Sequence, residues 1–202
     1  MRQNPKRRAA LVDAAIEILA REGARGLTFR SVDTEAAVPI GTASNYFSSR
    51  DDLLTQAGER VYERLQPDTA AFDQVLQGPH DRTHLTEAMY ETVGRLTRFR
   101  SGYLAMLELR LEATRRPELR SILTRRIRAD IDANIAFHLR SGMPGDATTV
   151  VLLHLALNWL ITERLTLPGI FSEQQAHDLV AAAVERIAAF EGPGAAAAPR
   201  GD

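Results

Sequence analysis

A chain of 202 residues, 45% hydrophobic and 25% charged, is long and apolar enough for one compact core or two small ones, which excludes a disordered tail or a coiled rod. Lys+Arg 25 against Asp+Glu 26 leave a formal net charge of -1, so any attraction to nucleic acid must come from a local patch. The absence of cysteine excludes disulfides, thiolate nucleophiles, iron–sulfur clusters and thiolate zinc sites, and suits a reducing cytoplasm.

The first residues are basic and then apolar like a secretion signal, but Asp13, Glu17, Arg21 and Glu22 interrupt the apolar run. Leu11, Ala14, Ala15, Ile18 and Leu19 instead form one helical stripe, stopped by Gly23 and Gly26. Thr28 is a suitable N-cap for a short helix to about Ala36, with Phe29 and Val32 on its buried side. Pro39 and Gly41 break the chain before a second short helix, Thr42 to Phe47. Ser49 can cap a longer helix running toward Leu76, with Asp51 and Asp52 at its positive end and a kink at Pro67. Breakers and caps then delimit helices near 83–100, 102–115, 117–141, 146–166 and 173–191. No segment alternates as a strand would, which predicts an all-α fold of about nine helices. The longest apolar run, Val150 to Ile161, is too short to cross a bilayer. The final segment, 192–202, has no apolar spacing and is expected to be disordered.

Two short helices joined by a tight turn, between an amphipathic helix and a long one, have the order of a helix-turn-helix DNA reader. The second must enter a groove about 12 Å wide, which favours small side chains. Gly41, Thr42, Ala43, Ser44 and Asn45 supply them. Thr42, Ser44 and Asn45 can hydrogen-bond to bases or phosphates, the Ala43 methyl can meet a thymine methyl, and Tyr46 can offer its hydroxyl to a phosphate. Phe47 is expected to plug the small core. Up to Arg50 the chain carries eight Lys+Arg and five Asp+Glu, giving +3, against 17 and 21 afterwards, giving -4. Lys6, Arg7, Arg8, Arg30 and Arg50 flank the segment and could neutralise phosphates. The alternative from composition alone is a polar loop among solvated arginines.

The run LTFRSVDTEAAVPIGTASNYFSSRDDLL resembles the DNA-binding signature of TetR-family transcriptional regulators, with Thr28, Gly41, Thr42, Tyr46, Phe47, Ser49, Arg50, Asp52 and Leu53 at matching positions. Asp33 stands where that family commonly has a small apolar residue, Ala37 where it has a turn glycine, Pro39 where it has a capping serine, and Ser44 where it often has tyrosine. A DNA-binding set of Arg7, Thr28, Arg30, Gly41, Thr42, Ala43, Ser44, Asn45, Tyr46 and Arg50 follows from the resemblance and the residue chemistry together. The resemblance implies a DNA-binding domain, 1–49, and an effector-binding and dimerisation domain, 50–191. It also implies homodimerisation through the last two long helices, with Leu153, Leu160, Leu179, Ala183, Ile187 and Phe190 as the expected interface.

An effector cavity in such a bundle is mostly apolar with a few polar fixings. Phe99, Tyr103, Met106, Leu107, Arg110, Asn134, Phe137 and Trp159 combine aromatic or flexible surface with polar tips and are its candidate walls. His154 and Asn158, four apart, could orient an effector, pair across a dimer axis, or satisfy neighbouring polar groups in the core. His80, Asp81 and His84 have metal-ligand types, as do the pairs Glu108 with Glu112, Glu87 with Glu91, and Asp130 with Asp132, but none follows the Glu-x-x-His pattern of helical metal bundles. The function expected is therefore a sequence-specific regulator, a repressor released from a palindromic operator by a small effector, with no cofactor, metal or enzymatic activity. The competing reading is a helical scaffold or sequence-blind DNA-binding protein.

Overall fold

The computed structural model describes residues 4–66 and 75–188, and nine helices among them. They are α1 (Pro5–Gly26), α2 (Phe29–Glu35), α3 (Thr42–Tyr46), α4 (Arg50–Leu65), α5 (Arg82–Arg98), α6 (Arg100–Ala113), α7 (Pro117–Ser141), α8 (Ala147–Thr166) and α9 (Glu173–Ala188). No described residue is in a strand. Phe190 and the tail 192–202 lie outside the described residues.

Local chemistry explains the boundaries. Asn4 caps α1 by accepting from the Lys6 and Arg7 amides, and Pro5 occupies the first turn, where its missing N–H costs nothing. Gly23 kinks the last turn at φ 69, a left-handed conformation suited to glycine, and the next amide, on Ala24, donates to Glu108 at 3.3 Å. Thr28 and Ser31 form a reciprocal capping box at α2. Ser49 accepts from the Asp52 amide at α4. α4 stops at Leu65, and Gln66 takes ψ 140, because a residue before proline is driven out of the α region; the kink expected at Pro67 lies outside the described residues.

The chain divides into two compact units. One unit comprises residues up to 66 together with 99–128; the other comprises 67–98 and 129 onward. In the first, α1 packs against α2, α4 and α6, and α4 also packs against α6. Leu11, Ile16, Ile18, Leu19, Leu53, Leu54, Tyr103 and Leu109 are fully buried there. Each such side chain contributes about 1.5–3 kcal/mol by leaving water, so α4 and α6 hold the reader as firmly as its own short helices do. The α6–α7 corner is tied to the first turn of α4 as well. Arg116 bonds Glu112 at 2.9 Å and also pairs with Asp51, while Arg115 reaches Glu112 at 2.6 Å. The two guanidiniums hold the Glu112 carboxyl below the usual carboxylate range.

In the second unit α9 packs against α5 and α8, and α5 against α8. Leu85, Met143, Leu153, Val184 and Ala188 form its apolar cluster. At the end of α7 His138 is buried, and its Nε2 has no hydrogen-bond partner among the described residues. Burial pushes the His138 pKa down, partly opposed by a hydrogen bond to the Pro144 backbone and by the Asp146 charge. A histidine whose folded pKa lies below its unfolded value, about 6.5, binds more protons when unfolded. Its contribution to stability is therefore complete above that value and declines as pH falls toward the folded pKa. Urea midpoints measured from pH 7.5 to 5 are expected to fall, and His138→Gln is expected to flatten the part of that slope between pH 6.5 and 5.

Candidate nucleic-acid interface

The segment joining α2 to α3 is more constrained than its sequence suggests. The Thr42 amide donates to the Pro39 carbonyl at 3.1 Å, and Gly41 sits at φ 92, ψ -2. This bond with a left-handed third residue makes Pro39–Thr42 a type II β-turn, which needs glycine at that place. Ala37 also has a positive φ, 52°, in a region that costs a non-glycine residue about 1–2 kcal/mol. Something must stabilise the connection, and that is Asp33. Its side chain, 1% exposed, accepts from the Gly41 amide at 2.6 Å and the Ala43 amide at 2.7 Å. Gly41 has no side chain with which to cap α3, so the carboxylate of α2 does it. The two departures noted in the sequence thus belong together: a serine cap is missing at Pro39, and a carboxylate has appeared at Asp33.

On α3, Thr42, Ser44 and Asn45 are brought together, and each turns a donor back on its own backbone. Thr42 Oγ1 donates to the Pro39 carbonyl at 2.5 Å, while Ser44 Oγ and Asn45 Nδ2 both donate to the Gly41 carbonyl at 2.9 Å. The Thr42 and Ser44 oxygens keep acceptor lone pairs. Tyr46 accepts from the Asn4 amide at 3.3 Å, which leaves its hydroxyl proton for a phosphate. Phe47 is buried, as expected for a core plug.

Three members of the predicted DNA set have other structural duties. Ala43 is 0% exposed, so its methyl packs inside the unit and cannot meet a base; its amide is what Asp33 holds. Arg50 donates to the Leu27 carbonyl at 3.0 Å and to that of Ala24, tying α4 to the α1–α2 corner. Thr28 spends its hydroxyl in the capping box. Arg8 likewise bonds Gln56 at 2.6 Å and the Tyr46 carbonyl at 2.7 Å. Lys6, Arg7 and Arg30 are exposed cations flanking the segment. Two residues escaped the sequence reading. Asp33 was visible only as a departure from the family pattern, and Ile40, 62% exposed at the corner of the turn, carried no signal beyond an isoleucine between proline and glycine.

The candidate effector residues are divided between the two units. Phe99, Tyr103, Met106, Leu107 and Arg110 belong to the first unit, whereas Asn134, Phe137, His154, Asn158 and Trp159 belong to the second. Tyr103 and Met106 are buried in the core of the first unit, where α6 packs on α1. The Arg64 guanidinium lies 4.0 Å from the centre of the Phe99 ring. Asn158 donates to the His154 carbonyl at 2.7 Å. Two open grooves of about 720 and 740 Å³ lie in the first unit, and neither is lined by any of the ten candidates.

The expected dimer set also divides. Leu153 and Leu160 are buried within the second unit, and Ala183 and Ile187 pack partly against its apolar cluster. The outward large hydrophobics are Leu152, Leu155 and Trp159 on α8 and Leu179 on α9. Because α8 is apolar nearly all round, periodicity alone did not show which leucines point inward.

No group of three or more histidines and carboxylates among the described residues is placed to hold a metal, and none of the described helices is long and apolar enough to cross a membrane.

Comparison with known proteins supplies the context for this geometry. The profile described as "Bacterial regulatory proteins, tetR family" matches residues 11–57, and that described as "Tetracyclin repressor-like, C-terminal domain" matches 80–189. The HTH-type transcriptional regulator BetI of Rhizobium meliloti (strain 1021) is 30% identical over 146 residues, 70% of this chain and 68% of the relative. An uncharacterized HTH-type transcriptional regulator in the dhlA 5' region of Xanthobacter autotrophicus is 33% identical over 94 residues, so the match spans 46% of this chain and 46% of that relative. Among solved structures, the multidrug binding protein EbrR complexed with imidazole superposes with a TM-score of 0.62 at 27% identity, covering 89% of this chain and 96% of EbrR. With a capped, glycine-turned recognition helix in the segment that the DNA-binding profile matches and an all-α second unit under the C-terminal profile, the chain belongs to the TetR family of DNA-binding transcriptional regulators.

Proposed function

We propose that the protein is a cytoplasmic repressor that binds a palindromic operator as a homodimer and leaves it when a small, mostly apolar effector occupies the C-terminal unit. The observation that carries this reading is the outward apolar ridge of α8, where Leu155 is 60% and Trp159 66% exposed. Large apolar side chains side by side on a soluble protein mark an interface, and a second copy of α8 and α9 is the partner that gives a regulator two readers. Two readers related by a two-fold axis recognise half-sites about one helical turn, or a multiple, apart. Lys6, Arg7, Arg30 and the Tyr46 hydroxyl would hold phosphates, and Thr42, Ser44 and Asn45 would face base edges. Solved complexes of the similar EbrR with imidazole, ethidium and proflavin support a small-molecule ligand for a protein of this shape.

The test begins with full-length protein and a random duplex library, followed by footprinting of the selected duplex and a thermal-shift screen of small molecules. The proposal expects a two-half-site footprint bound by two copies, and a compound that raises the melting temperature while weakening the duplex complex. A single half-site held by one copy, or thermally stabilising compounds that leave duplex affinity unchanged, would overturn it.

A further inference from the structure

We propose that Ile40 is a specificity-determining residue that reads a thymine 5-methyl group in the major groove. The inference rests on DNA binding through α3 and adds a base contact that no polar residue of that helix supplies. Among the described residues from 4 to 66, Ile40 is the one large hydrophobic that is exposed, at 62%. Every other large apolar side chain of that segment is wholly or partly withdrawn from solvent.

Its position is fixed. Ile40 is the second residue of the Pro39–Thr42 turn, between a proline whose φ is locked and a glycine held left-handed, and the Asp33 carboxylate anchors the next amide. An apolar side chain presented on so rigid a corner loses little conformational freedom when it is covered. The covering surface must be apolar and small enough to lie at the mouth of α3. The one apolar group displayed in the major groove is the thymine methyl. Ala43 is buried and cannot serve, and the Thr42 methyl belongs to a half-buried side chain whose hydroxyl is bonded to the Pro39 carbonyl. The neighbouring Thr42 and Ser44 hydroxyls donate inward and keep acceptor lone pairs outward, which suits the exocyclic amino groups of adenine and cytosine rather than competing for the methyl.

The experiment uses the full chain and the duplex it selects from a random library. Each thymine is replaced in turn by deoxyuridine, which removes the methyl and keeps every hydrogen-bonding group. For the natural protein one position per half-site is expected to weaken about fourfold, the worth of one buried methyl group. Ile40→Ala, which changes both copies of the dimer, is expected to bind the thymine duplex about as weakly as the natural protein binds a duplex with that thymine replaced in both half-sites, and to show no further loss on methyl removal. Ile40→Val is expected to keep the methyl sensitivity. Both variants are exposed-site changes, and their melting temperatures should match the natural protein's. Equal deoxyuridine profiles for the natural protein and Ile40→Ala would overturn the proposal, as would an Ile40→Ala loss that is uniform over unrelated duplexes. If no duplex is selected at all, sequence-specific binding itself fails, an outcome distinct from selection without a methyl effect.

Discussion

Asp33→Ala is expected to destabilise the protein by about 2–4 kcal/mol and to abolish measurable sequence-specific DNA binding. Hydrogen bonds to a charged acceptor are each worth about 1.5–3 kcal/mol, and both of these hold backbone amides that no other group reaches once the carboxylate is gone. The Ala43 amide is buried, so the loss is felt as an unsatisfied donor rather than as a bond exchanged for water. Ala37 has a positive φ, so the connection already stores strain that this anchor offsets. Urea unfolding gives the stability change, and hydrogen exchange at the Ala43 amide gives its location: protected in the natural protein, fast in the variant. Asp33→Asn keeps one acceptor and should lose about half as much. Adding Pro39→Ser to Asp33→Ala should recover part of the DNA binding, because a serine hydroxyl ahead of α3 can accept from the backbone amides that the carboxylate held. Unchanged stability in Asp33→Ala would show that the turn holds itself.

Trp159→Glu is expected to convert a dimer into a folded monomer and to lower affinity for a two-half-site duplex by about 10²–10⁴-fold, the loss that follows when two linked readers become independent. Trp159 is 66% exposed, so a charge there costs the isolated chain little, while in a dimer it would be buried against an apolar surface without a partner. Sedimentation equilibrium measures the first effect and duplex titration the second. Leu153→Glu is the contrasting change. Leu153 sits in the cluster with Leu85, Met143, Val184 and Ala188, so a carboxylate there should unfold the second unit instead of separating copies. A Trp159→Glu variant that remains dimeric would move the interface elsewhere on the chain.

These two sites show where a sequence is legible and where it is not. Thr28 and Ser49 announced themselves as caps because a cap is a contact between residues two or three apart, and α2 and α4 begin where those residues stand. Pro39 and Gly41 marked the turn for the same local reason. The role of Asp33 needed a contact eight to ten residues away through a turn whose geometry is set in three dimensions. The packing of α6 on α1 was not legible, because Tyr103 and Leu109 look like any buried stripe, and nothing in α6 states that its partner is α1 rather than a neighbouring helix of the bundle. Residue type and small size favoured Ala43 as the groove-facing methyl, and Ile40 was passed over. A short helix capped from below reverses that order by burying the alanine and displaying the isoleucine.

Held on its glycine turn, α3 is expected to read sequence and not merely phosphate charge. The ratio of affinities for the selected duplex and for a scrambled duplex of equal length, measured at one physiological salt concentration, tests it most directly. A ratio of at least about 10³ is expected, because base contacts add to the salt-driven term that both duplexes share. A ratio near one, with both affinities falling in parallel as salt rises, would contradict the account.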